Sequence, residues 1–253
     1  MIVLAADYVG YNIVDFLIKS KEPISYLILD EKNRGNYNDK IVSIFTTLYD
    51  KEKIFYNNKL SDENFLEILE NVKPNIGLLA WWPYILKGRI LSIPKMGWLN
   101  FHPSFLPFNK GKHPNFWCLV DETQSGVSLQ FIDEGIDTGD VLARKKILMN
   151  WEDTGKTIYE KSRLAIIDLF QEQFQIIKQN PNRVKQNPKE GSTHKSSEID
   201  EICKINLDER YTARKLLNII RGKMFPPHPL AYFIDNGIKY SVEIKIKEIK
   251  DDE

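Results

Sequence analysis

Cysteine is scarce in this chain of 253 residues: Cys118 and Cys203 are the only two. Neither has a partner at metal-ligand spacing, which argues against a disulfide scaffold and fits a reducing compartment. Net charge is missing too, because 35 basic side chains balance 35 acidic ones. No overall electrostatic footprint for nucleic acid results. Long apolar runs are absent, so nothing reads as a bilayer span. The opening Met1–Ala6 stretch is cut short by Asp7, too early for a secretion signal. Glycine-rich phosphate loops are lacking as well. Ala5-Ala6-Asp7-Tyr8-Val9-Gly10 has one glycine where a dinucleotide fingerprint needs three, and there is no Walker loop. The expectation is a soluble cytoplasmic protein with no nicotinamide, ATP, membrane or nucleic-acid role.

What the chain does have is alternation. Strands are expected at Ile2–Ala5, Ile24–Leu29, Ile54–Tyr56, Ile76–Trp81, Gly97–His102, Val127–Ile132 and Val141–Leu148. Helical patterns lie at Tyr8–Lys19, at Ser61–Val72 with Ser61 as its cap, and around Asn115–Val120. This order predicts an α/β fold, a Rossmann-like and mainly parallel sheet flanked by helices. A long helix is expected from Thr154 to about Asn180, with Ile158, Leu164, Ile167, Phe170, Phe174 and Ile177 as its apolar stripe. The polar stretch to Ser197 reads as a linker. Beyond it come a helix near Tyr211–Arg221 and strands at Leu230–Ile234 and Lys239–Ile246, joined by the hairpin signal Asp235-Asn236-Gly237. The division expected is a catalytic domain over 1–185 and a small helix-plus-hairpin unit over 186–253.

Chemistry concentrates between Gly97 and Asp140. An extended segment puts Asn100 and His102 on one face, and Pro103 closes the strand just beyond them. A loop with Asp133, Gly135, Asp137 and Asp140 follows the next strand. Its acids do not have calcium-loop spacing, so no metal is expected. An amide, an imidazole and a carboxylate at one strand edge are the parts of a proton-transfer site. The bland alternatives are a core histidine and an ordinary Asp/Gly turn. Lys110-Gly111-Lys112-His113-Pro114 reads either as a basic surface turn or as a loop contacting an anion. Trp81-Trp82-Pro83-Tyr84 is a packed strand end or a wall for a planar ring. Arg221-Gly222-Lys223-Met224-Phe225-Pro226-Pro227 is a helix stop or a phosphate-binding Arg beside a stacking Phe.

The segments Asn100-Phe101-His102-Pro103-Ser104-Phe105-Leu106-Pro107 and Asp133-Glu134-Gly135-Ile136-Asp137-Thr138-Gly139 together resemble the folate-dependent formyltransferases. Gly111-Lys112-His113-Pro114-Asn115-Phe116-Trp117 and the C-terminal part look like the branch acting on nucleotide-linked amino sugars. The resemblance implies 10-formyltetrahydrofolate as the donor, held near Trp81, Trp82, Pro83, Tyr84 and Ile85 and by the loop of Asp133, Gly135 and Asp140. The acceptor it implies is the amine of a dTDP-linked amino-dideoxy sugar, such as dTDP-4-amino-4,6-dideoxyglucose, made for a bacterial surface glycan such as O-antigen. Asn100, His102 and Asp137 would be catalytic, His102 stabilising an oxyanion or moving the amine's proton. Lys112, His113, Arg221, Lys223, Phe225 and Pro226 would contact the nucleotide sugar, and the C-terminal unit would form a homodimer. Two rivals stand beside this reading. One is an enzyme like methionyl-tRNA formyltransferase, which needs a basic surface, whereas this chain is neutral and ends in Lys250-Asp251-Asp252-Glu253. The other is a non-catalytic nucleotide-sugar-binding protein.

Overall fold

The computed structural model describes residues 1–31, 37–179 and 181–249. Asn180, expected to stop the long helix, and the acidic 250–253 tail lie outside the described residues. The chain forms two compact units. One comprises 1–102, 128–144 and 166–186, and the other comprises 103–127, 145–165 and 187 onward.

The sheet begins with β1 (Ile2–Ala5), whose four residues are all buried. Strands buried on both faces read as continuous apolar runs, which is how this one was legible. β1 lies parallel to β2 (Tyr26–Leu29), and β3 (Ile54–Tyr56) extends that side. On the other side β4 (Gly77–Ala80) and β5 (Trp98–His102) follow, also parallel. The strand Gly126–Phe131 then pairs antiparallel with β5, and Val141–Lys146 completes the seven. The mainly parallel α/β sheet is therefore as expected, with one antiparallel member near its edge.

Helix α1 (Asp7–Lys19) buries Val9, Ile13, Val14 and Leu17, the spacing of a single apolar face. Helix α2 (Asn38–Phe45) was not anticipated. Its eight residues carry only Ile41 and Phe45 as buried apolar anchors, too short a pattern to read by period. Helix α3 (Glu63–Asn71) is capped by Asp62, whose carboxylate accepts from the Asn64 N–H at 3.0 Å. Ser61 was the expected cap, but residues 57–61 wind into a 3₁₀ turn that ends there. The long helix spans Gly155–Lys178. Leu164, assigned to its apolar stripe, is 55% exposed, whereas Ser162 and Ile166 are buried. The stripe steps through 158, 162, 166, 170 and 174, and the Ser162 hydroxyl is satisfied by donating to the Ile158 carbonyl.

In the second unit the helices Pro114–Val120 and Ala213–Lys223 share a core of Phe116, Trp117, Ile219 and Ile220. The hairpin strands are Ala231–Asp235 and Ile238–Val242, and Asp235 pairs directly with Ile238. Asn236 and Gly237 thus form a two-residue loop, both at positive φ, as a type I′ turn requires. The second strand stops at Val242, short of the expected Ile246. The supposed linker also contributes structure, because Thr193–His194 pairs in parallel with Lys110–Gly111.

Candidate active site

Alternation along β5 sends Asn100 and His102 to one face, while Leu99 and Phe101 go into the core on the other. The antiparallel neighbour sets Gln130 opposite Asn100 and Ser128 opposite His102. Directly opposed residues share a face. Four polar side chains therefore gather on one patch of sheet, with Ser128 and Gln130 fully buried.

Asp137 reaches this patch by a route the sequence reading did not foresee. Because the two strands run antiparallel, Phe131 lies beside Leu99, and the Ile132 N–H donates to the Trp98 carbonyl at 2.9 Å. The loop therefore leaves the sheet at the far end of β5 from His102. It doubles back, and Asp137 Oδ1 comes to 3.3 Å from His102 Nδ1. Inside the loop, Asp133 Oδ1 accepts from the Gly135 N–H at 3.0 Å and from Thr138 Oγ1 at 2.7 Å. The Asp133 carboxylate, expected with Gly135 to contact the donor, holds the turn that aims Asp137. Asp140 gives its carbonyl to the Phe131 N–H at 2.8 Å, closing the loop.

Two residues went unnoticed in the sequence. Gln130 Nε2 donates to Asp137 Oδ1 at 2.8 Å, and Gln186 Nε2 donates to the carbonyls of Asp137 and Gly139, each at 2.8 Å. Gln130 left a faint signal, since Ser128 and Gln130 interrupt an apolar strand at alternate positions. Gln186 left none, lying in a polar stretch without period.

The arrangement is suited to proton transfer. A carboxylate beside Nδ1 keeps that nitrogen protonated and orients the ring, leaving Nε2 as the working nitrogen. His102 is 5% exposed, and its Nε2 has no hydrogen-bond partner among the described residues. Thiol chemistry is disfavoured, because burial pushes both Cys118 and Cys203 up to about 12.

Beyond β4 the chain turns at Trp81, whose φ is 60°. Trp82 is buried, and the Tyr84 hydroxyl donates to Asp30 at 2.8 Å. A cavity of about 280 Å³ is lined here by Trp82, Tyr84, Ile85, Lys87, Leu60 and Ile90. The segment assigned to donor binding thus borders an aromatic-walled recess, with Pro83 half-buried beside it.

In the second unit the residues assigned to the nucleotide sugar fall into three groups. Lys112 and His113 are exposed. Although the residue is exposed, partial desolvation of the His113 imidazole, and then the charges of Lys223 and Lys112, push it below its usual range. The two lysines thus carry the positive charge around a His113 ring held toward its neutral form, and Asp200 Oδ1 lies 3.9 Å from Lys223 Nζ. Arg221 differs from its assignment. Its Nη1 donates to the carbonyls of Asn150, Trp151 and Asp153, and its Nε donates to Asn218. A guanidinium committed to three carbonyls is an internal brace rather than an open phosphate clamp. Phe225 packs edge-on against Tyr159, with ring centroids 5.2 Å apart, and Pro226 is exposed.

Comparison with known proteins places this geometry in context. Residues 19–170 match a family model described as formyl transferase, and residues 198–248 match one described as N-formyltransferase dimerization C-terminal domain. A methionyl-tRNA formyltransferase from Thermodesulfovibrio yellowstonii is 35% identical over 176 residues, 69% of this chain and 55% of that protein. The chain thus spans a little over half the length of the curated relatives it matches. Among solved structures, a 4-N formyltransferase from Francisella tularensis is similar with a TM-score of 0.79 at 21% identity, over 98% of both chains. An N-formyltransferase from Helicobacter canadensis, crystallised with folinic acid and dTDP-3-aminofucose, is similar with a TM-score of 0.71. Its identity is 21%, over 93% of this chain and 84% of that one.

Proposed function

We propose that this chain, which belongs to the formyl transferase family, moves a formyl group from 10-formyltetrahydrofolate to the amine of a dTDP-linked amino-dideoxy sugar. The observation that carries the reading is the His102–Asp137 pair, with His102 on the sheet face of Asn100 and its buried Nε2 without a partner among the described residues. The donor supplies an activated formyl carbon. The protein's part is to receive charge and protons around it. When an amine attacks a formyl group, negative charge grows on the carbonyl oxygen, and donors fixed in advance stabilise that charge most effectively. In this reading Asn100 Nδ2 is the donor in place from the start, and neutral His102 Nε2, oriented by Asp137, takes the amine's proton directly or through water as the new C–N bond forms. The protonated Nε2 then donates beside Asn100 and gives the proton to the folate nitrogen as the bond from that nitrogen to the formyl carbon breaks.

The aromatic-walled recess at Trp82–Ile85 is the proposed seat of the pterin, and the Lys112, His113 and Lys223 cluster that of the diphosphate. Phe225 is left for the base. The sugar branch, rather than the tRNA branch, is supported by a fold that matches the Francisella enzyme over nearly all of both chains. The charge balance of the sequence agrees with it. The match over 198–248, with Ile234, Ile238 and Tyr240 exposed on the hairpin, supports a homodimer formed through that segment. A division into 1–185 and 186–253, a cytoplasmic location and a destination in a bacterial surface glycan complete the proposal.

The test is a panel of dTDP- and UDP-linked amino sugars, with initiator methionyl-tRNA beside them, each incubated with 10-formyltetrahydrofolate and read by mass. One or more dTDP-sugars should gain a formyl group and the tRNA none. Formylation of the tRNA alone would hand the site to the rival branch, and gain on UDP-sugars alone would correct the nucleotide.

A further inference from the structure

We propose that Gln130 and Gln186 are positioning residues that hold Asp137 against His102, an inference that rests on the formyl-transfer reading of this site. Gln130 is fully buried on the same sheet face as Asn100 and His102. A carboxamide so placed must find partners within the protein. Its Nε2 lies 2.8 Å from Asp137 Oδ1, the same oxygen that stands 3.3 Å from His102 Nδ1. Two donors on different strands therefore converge on one carboxylate oxygen, and its position is set by their intersection.

Gln186 acts on the backbone of the same residue. Asp137 has φ 54°, in the left-handed region that side chains other than glycine adopt only under constraint. Its carbonyl and that of Gly139 each accept from Gln186 Nε2 at 2.8 Å, and Gln130 Oε1 lies 3.4 Å from the same nitrogen. The segment carrying Gln186 is tied down nearby by a bridge between Val184 and Val141. The two amides thus form a chain that runs from the segment after the long helix, across the doubled-back loop, to the catalytic carboxylate. Gln186 keeps its Oε1 buried without a partner among the described residues. Burying an unmet acceptor is unfavourable, so the site retains this amide for what its nitrogen donates.

The experiment uses Gln130→Met and Gln186→Met, which keep length and remove the donor. In Gln130→Met, kcat should fall about tenfold to hundredfold, while KM for both substrates stays within about twofold, because misplacing a catalytic group acts on turnover rather than on binding. A second readout needs no acceptor at all. Nitrogen-15 NMR of the imidazole rings, four in the chain and assigned with a His102→Asn variant, should show the His102 ring signals shifted in Gln130→Met. An unchanged kcat, or unchanged His102 signals, would overturn the proposal. If the wild-type protein formylates no acceptor, the functional reading fails and the NMR arm alone decides between shifted signals, which uphold the positioning, and unshifted ones, which refute it. Should Gln130→Met not fold, Gln186→Met is read by the same two criteria.

Discussion

Replacing His102 with alanine is expected to lower kcat by about a thousandfold, in line with the loss of a positioned proton-transfer group that also donates to the developing oxyanion. The size of the effect follows from the two duties that converge on one nitrogen. Nε2 is buried and has no hydrogen-bond partner among the described residues, which leaves it open to a substrate. KM for donor and acceptor should change by no more than about threefold, because the pterin and nucleotide contacts proposed above lie on other residues. Steady-state kinetics with a formyl-release assay checks both values. Retention of full turnover would mean the imidazole is a structural histidine after all. The variant's stability should change little, since Asp137 keeps its bond from Gln130.

The second large effect is on the fold. Trp98→Ala is expected to destabilise the protein by about 3–5 kcal/mol, the range for removing a buried large aromatic. Trp98 is fully buried, and its indole Nε1 donates to the Ile90 carbonyl at 2.7 Å. Its ring lies flush on Gly77 of β4, where even a methyl group would be built inside the indole. The residue opens β5, two positions before Asn100 and four before His102. Losing it therefore leaves a cavity under the strand that carries the site and removes one of two donors to the Ile90 carbonyl, which keeps only the Ile93 N–H at 3.3 Å. Urea denaturation followed by fluorescence measures the change, and a loss below about 1 kcal/mol would mean the sheet closes over the gap. Activity of the variant, below its unfolding range, should fall as well, because β5 sets the spacing between Asn100 and His102.

These two residues also mark what the sequence disclosed and what it withheld. The strands buried on both faces were visible as short apolar runs, and the hairpin was visible because Asn236-Gly237 has a local steric meaning. The face shared by Asn100 and His102 followed from a period of two. Tertiary pairing was less accessible. The antiparallel turn of Gly126–Phe131 reverses the exit of the Asp137 loop, and the order of residues alone does not encode that reversal. Gln186 meets Asp137 across 49 positions of chain, in a stretch whose composition says only that it is polar. Arg221 shows how residue type and packing differ. An arginine beside a Phe-Pro-Pro turn has the chemistry of a phosphate ligand, yet the fold uses it to tie down three carbonyls. Residue type fixed what each side chain could do, and packing decided which were already occupied.

The central claim, that an amide, an imidazole and a carboxylate share one reaction centre for formyl transfer to an amine, is tested most directly by a crystal structure with a formylated folate analogue and a dTDP-amino sugar bound together. The account predicts the formyl oxygen about 3 Å from Asn100 Nδ2, with the sugar nitrogen on the His102 Nε2 side of the formyl carbon. A formyl group seated away from β5, or an amine that approaches from elsewhere with His102 still enclosed, would contradict it.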